Sequence, residues 1–167
     1  SQSARWPASL RSDVGQLRLM PSSAASQPSR LPGLVAALWW GSLSTVGFLV
    51  VPLLFAHLPT PALAGGMAAR LFAAQTWVSI ACSVVLLLIS RPKGSVTQYP
   101  WAQAAIIFIL GGMLLALLSQ FGVAPRIVAR ENLRLWHSVG SGLYVAQWAC
   151  ALAVLWQTLR STPRPLD

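Results

Sequence analysis

A chain of 167 residues has room for one domain, and this one is 55% hydrophobic and only 9% charged, whereas a soluble domain carries about a quarter charged residues. That composition excludes an ordinary soluble protein and predicts an integral membrane protein. Lys and Arg number 12 against 3 Asp and Glu. The cations stand at the edges of apolar runs rather than among aromatics, so their excess points to orientation in a bilayer and not to nucleic acid.

Residues 1–30 are rich in Ser, Pro, Ala and Gln and carry Arg5, Arg11, Arg18 and Arg30 with no sustained apolar period. They cannot bury enough surface to offset the entropy of ordering, which predicts a disordered basic tail. They also lack the apolar run of a secretory signal, so the first span is expected to serve as its own insertion signal.

From residue 31 to 56 the chain is uncharged and apolar, longer than the roughly 20 residues that cross a hydrocarbon core. Trp39 and Trp40 near its start are expected at the headgroup boundary. Pro52 removes one backbone hydrogen bond and is expected to free the carbonyl of Phe48 and bend the helix near its far end. HLPTPALAGG then reads as a tight connection.

The second span is expected over residues 66–90, with Gly65, Ala69 and Ala73 at four-residue spacing as a face that lets a neighbouring backbone approach. Arg91, Pro92, Lys93 and Gly94 end it. The third span is expected over 101–119, with Gly112 and Ala116 again four apart. From Phe121 to Leu133 the chain holds Pro125, Arg126, Arg130 and Arg134, the three arginines sharing one helical face. This predicts a short helix in the headgroup region before the fourth span, 135–159. Residues 161–167 form a C-terminal tail. The predicted fold is an all-α integral membrane protein: a four-transmembrane-helix bundle with a short interfacial helix before the fourth span.

Four spans put both termini on one side. The tail, the Arg91/Lys93 loop, Arg160 and Arg164 share that side, and Arg126, Arg130 and Arg134, with Arg70 near them, lie on the other. The positive-inside tendency then predicts cytoplasmic termini. This topology gathers His57, Met67, Arg70, Gln120, Arg130, Glu131 and His137 at the extracytoplasmic ends of their helices.

On the fourth span His137, Ser141, Tyr144 and Trp148 recur at three- and four-residue spacing, with Gln147 beside them; Gln75, Ser79 and Cys82 do so more weakly on the second. Such stripes are expected to face the bundle interior, because polar groups exposed to lipid are costly. The candidate polar site is thus His57, Arg70, His137, Ser141, Tyr144 and Gln147. Arg126, Arg130, Glu131 and Arg134 form the interfacial set, Glu131 pairing with one of the arginines around it. Arg70 stands inside a span, so Arg70→Leu is expected to be more damaging than Arg160→Leu.

His57 and His137 are the residues that could hold a metal, since neutral imidazole is a common ligand of copper and iron. Each also has a plain structural role, as a solvated helix-end residue or an interhelical hydrogen-bonder. Cys82 and Cys150 lie inside apolar runs without a CxxC partner, so neither a disulfide framework nor a zinc site is indicated. The sequence holds no CxxCH motif, Walker loop or GxSxG elbow. The expectation is a protein that is not an enzyme and has no cofactor, with copper or haem as the alternatives.

Two stretches carry a family resemblance: GSLSTVGFLVVPLLFAHLPTPALAGGMAARLF, and APRIVARENLRLWHSVGSGLYVAQW. Their Gly47…Pro52…Phe55 run, the Ala64–Gly65 turn into Leu71–Phe72, Pro125 with Arg126 and Arg130, and Trp136–His137 resemble the transmembrane protein 205-like family, also called domain of unknown function 4149, over roughly Leu34 to Trp156. The resemblance implies a four-helix membrane protein, and its architecture is similar to copper-resistance membrane domains of the D type. Three readings follow. The chain is an accessory or structural bundle whose partners are the lipid bilayer and a second copy or another membrane protein; or it binds or transports a metal ion or small cation at the extracytoplasmic face; or it is a haem-binding redox bundle.

Overall fold

The structure is a computed structural model describing residues 30–91, 100–129 and 132–160. Residues 1–29 of the tail expected at 1–30, the tail expected at 161–167, and Arg130 and Glu131 of the interfacial set lie outside the described residues. Four helices are long and apolar enough to cross a membrane. Helix α1 is Leu31–His57 and α2 is Pro61–Ile89. Helix α3 runs Pro100–Leu117 and continues to Val128, and α4 is Leu133–Arg160. The 27 residues of α1 extend about 40 Å at 1.5 Å per residue, more than a hydrocarbon core needs.

The α1–α2 connection is shorter than expected. Leu58 and Thr60 are extended, the Thr60 side chain accepts from the Leu63 amide at 3.3 Å, and Pro61 opens α2. Helix 2 therefore starts at Pro61 rather than near Gly66. A threonine N-cap followed by proline in the first turn is a strong start signal, whereas Gly65 and Gly66 inside a helix each cost only about 1 kcal/mol relative to alanine.

Helices α1 and α3 share a device at the end where they meet these connections. In α1 a π segment, Val46–Val50, precedes Pro52, and the Val51 amide reaches five residues back to the Val46 carbonyl. In α3 a π segment, Leu118–Val123, precedes Pro125. In each case the wider turn takes up the proline's missing donor without ending the helix. The separate interfacial helix expected before the fourth span is thus the last part of α3, carried past Pro125 to Val128. The chain enters α4 through Asn132, whose φ of 37° lies in the left-handed region that asparagine tolerates.

The helices form a closed ring in which α1 and α3 each pack against both α2 and α4. Gly33 lies against Thr158, Ser44 against Trp148 and Gly47 against Tyr144, so α1 runs antiparallel to α4. Within the ring lie Ala36, Trp39, Leu43, Cys82, Leu86, Ala105, Ile109, Ala151 and Val154. Trp39 is 0% exposed: it fills the centre of the bundle instead of the headgroup boundary. Its indole reaches across to α3, where a Cβ added at Gly112 would stand 2.7 Å from the ring. The small residue at Gly112 is what admits the tryptophan.

The small face of α2 is turned the other way from expectation. Ala64 and Ala68 are buried, whereas Ala69 is exposed and a Cβ at Gly65 or Gly66 would meet nothing within 4 Å. The inward face of α2 continues through Gln75, Ser79, Cys82 and Leu86, a phase that leaves Ala69 exposed and Gly65 and Ala73 half-buried.

Candidate functional site

Three helices are joined by buried polar side chains, and each serine in the set is used twice. Ser42 Oγ donates to the Trp39 carbonyl of its own helix at 2.9 Å and accepts from Gln75 Nε2 of α2 at 2.9 Å. Ser44 Oγ donates to the Trp40 carbonyl at 2.9 Å and accepts from Trp148 Nε1 of α4 at 2.9 Å. Ser79 Oγ donates to the Gln75 carbonyl at 3.0 Å and accepts from Gln147 Nε2 of α4 at 2.8 Å. A hydroxyl can do this because it carries one donor and two acceptor lone pairs. Back-bonding to the preceding turn aims a lone pair at the neighbouring helix.

Tyr144 adds a fourth link from α4 to α1. Its hydroxyl donates to the Leu43 carbonyl at 2.7 Å, with the Gly47 amide beside the same oxygen. The ring occupies the space where a Gly47 side chain would begin, and it meets Phe72 edge-on at 5.2 Å between centroids. This insertion sits where α1 passes into its π segment, as expected when a side chain enters the backbone ladder. Trp148 is packed between Trp40 and Phe48, each 5.8 Å away between centroids.

The polar stripe expected on α4 is therefore divided. Tyr144 and Trp148 are half-buried and Gln147 is 4% exposed, while Ser141 and His137, one and two turns nearer the start, are exposed. The inward face there runs instead through Gly140, which packs on Val123 and Ile127 of α3. His57 and Arg70 are exposed as well. The His57 ring lies 3.0 Å from the Leu53 carbonyl through Nδ1 and lines a shallow apolar groove with Val50, Leu53, Leu54 and Leu58. Of the six candidates, Tyr144 and Gln147 join the buried network, and His57, Arg70, His137 and Ser141 stand on the surface.

Among the described residues no group of three or more His, Cys, Asp and Glu could hold a metal ion. Those residues include Arg30, Arg70, Arg91, Arg126, Arg134 and Arg160 but none of the acidic side chains, which are Asp13, Glu131 and Asp167. In the interfacial set, Arg134 is exposed and the Arg126 guanidinium lies over the Trp136 ring at 4.3 Å, linking the end of α3 to the start of α4.

Sequence reasoning missed Ser42, Ser44 and the indole of Trp148 as bonding partners. The signal was present: Ser42 stands three residues after Trp39, and Ser44 four after Trp40, the spacings at which a hydroxyl returns to its own helix.

Four helices long and apolar enough to cross a membrane, three of them joined by interhelical hydrogen bonds, define a helical bundle of membrane-protein type. Residues 34–135 match the family described as Domain of unknown function (DUF4149), and the chain belongs to it. No curated protein and no solved structure matches the chain. The family match stops within the first turn of α4, so His137, Ser141, Tyr144 and Gln147 lie beyond it.

Proposed function

We propose that this chain is an accessory or structural bundle of the bacterial inner membrane, with both termini cytoplasmic, that acts through contacts with a second copy or another membrane protein and not by catalysis. One observation carries the reading: the hydroxyls of Ser42, Ser44 and Ser79 are each spent both within their own helix and on a neighbour. These hydroxyls, with Gln75, Gln147 and Trp148 as their donors, hold helices together. The outer face of α2, where Gly65 and Gly66 leave open space and Ala69 is exposed, supports close approach by another helix, since small residues drive such contacts in lipid.

Cysteine cross-linking in native membranes tests this. In a background with Cys82 and Cys150 replaced by Ala, Ala69→Cys is expected to form a dimer across α2, and Leu114→Cys on the outer face of α3 is not. Equal cross-linking at both positions, or at neither, removes α2 as the contact. A tag at the C-terminus that proves accessible only from outside reverses the orientation.

A second reading, binding or transport of a copper-like metal ion or small cation at the extracytoplasmic face, is favoured by His57 and His137, two exposed imidazoles at the same end of the ring. It also draws on the resemblance to the transmembrane protein 205-like and copper-resistance families. Stoichiometric copper or zinc binding by the purified chain, lost when both histidines become Ala, would establish it; no binding in the native chain ends it.

A further inference from the structure

We propose that the Arg126–Trp136 pair, at the end of the bundle where α3 passes into α4, is a docking surface for the headgroup of an acidic phospholipid. The guanidinium carbon lies over the indole ring, 4.3 Å from its centroid. Stacking uses the planar face of arginine and leaves its N–H edges free to donate in the plane, which is the geometry that meets a phosphate two bonds at a time. Tryptophan at the end of a spanning helix sits at headgroup depth. The pair joins two helices, so the cation is held there by both rather than carried on one mobile side chain.

Charge balance points to the same partner. Arg126 and Arg134 stand at this end, Arg70 lies roughly 14 Å along α2 from Pro61, and the described residues supply no carboxylate to any of them. The intervening connection adds Arg130 and the single acid Glu131. Four cations against one carboxylate leave an excess of positive charge even when Glu131 is paired. A headgroup with a phosphodiester and net negative charge, such as phosphatidylglycerol, complements that excess, whereas zwitterionic phosphatidylcholine does not. The matching pair at the opposite end, Arg160 over Trp156 at 4.6 Å, is built within the last turn of one helix and lacks the link between helices.

The test uses the full chain purified in detergent, with bound lipid read by native mass spectrometry against a mixture of phosphatidylglycerol and phosphatidylcholine. Native protein is expected to retain phosphatidylglycerol selectively. Arg126→Gln is expected to cut that selectivity about fivefold, the effect of one cation at a membrane surface. Arg126→Lys, which keeps the charge and loses the fork, is expected to fall between, and Arg30→Gln is expected to leave selectivity unchanged. Trp136→Leu, compared only where helical content and elution match the native chain, is expected to act like Arg126→Gln. Equal retention of both lipids by the native chain, equal losses in Arg126→Gln and Arg30→Gln, or displacement of the lipid by millimolar inorganic phosphate would each overturn the proposal.

Discussion

Helix α3 and the other three helices are held by different physics. Between α1, α2 and α4 run four hydrogen-bonded links: Gln75 to Ser42, Trp148 to Ser44, Gln147 to Ser79, and Tyr144 to the Leu43 carbonyl. None of these four links involves α3. It is seated by Ala105, Ile109, Ala116 and the notch at Gly112 that receives Trp39, with the Arg126–Trp136 stack at its end. Polar links in a bilayer contribute about 0.6 kcal/mol each on average, so the four together supply about 2 kcal/mol and fix which faces meet. Shape fit is what seats the middle of α3, and a fit of that kind fails abruptly when volume is added.

The largest expected effect is accordingly at the notch. Gly112→Val should lower unfolding stability in detergent by about 3 kcal/mol, because a fully buried indole cannot move aside; a thermal midpoint equal to the native one would mean that Trp39 is not seated there. Next comes Gln147→Leu, expected to cost about 1.5 kcal/mol at the upper end for such bonds. A double-mutant cycle with Ser79→Ala should show the two losses to be coupled. Strict additivity would show that this pair is not a link.

Tyr144→Phe keeps the ring against Gly47 and Phe72 and removes one hydroxyl, for a loss of about 0.6 kcal/mol. Smallest is Arg70→Leu. The sequence expectation ranked it above Arg160→Leu, but Arg70 is exposed on the bundle surface, while Arg160 stacks on Trp156. Both changes are expected to stay within about 0.5 kcal/mol, and a large loss confined to Arg70→Leu would restore it to an internal role.

How much of this was legible in the residues differs by feature. The four spans were legible because their lengths follow from uninterrupted apolar composition, and Pro52 marked the part of α1 where regular α-helical bonding gives way to a π segment. Gly112 was legible as a packing residue by its spacing to Ala116, but not as the seat of Trp39, whose position in the chain suggested the interface. On α4 the three- and four-residue spacing correctly grouped Tyr144 with Trp148 and set Gln147 beside them. It extended the group wrongly to His137 and Ser141, because one turn's drift carries a stripe off the inner face near the helix start. The separate interfacial helix failed because Pro125 normally marks a start, and here a π segment carries the helix through it.

The sequence by itself determined that this chain has four helices long and apolar enough to cross a membrane and where each begins to within a few residues, because the length a span needs is set by hydrocarbon thickness and read from composition. Only the tertiary structure decided which side of each helix faces inward. Apolar residues are spread almost evenly around all four helices, and in lipid a leucine gains little by turning away from its surroundings. The choice therefore fell to contacts that join distant positions: a tryptophan fitting a glycine, and serine hydroxyls meeting glutamine and indole donors from neighbouring helices.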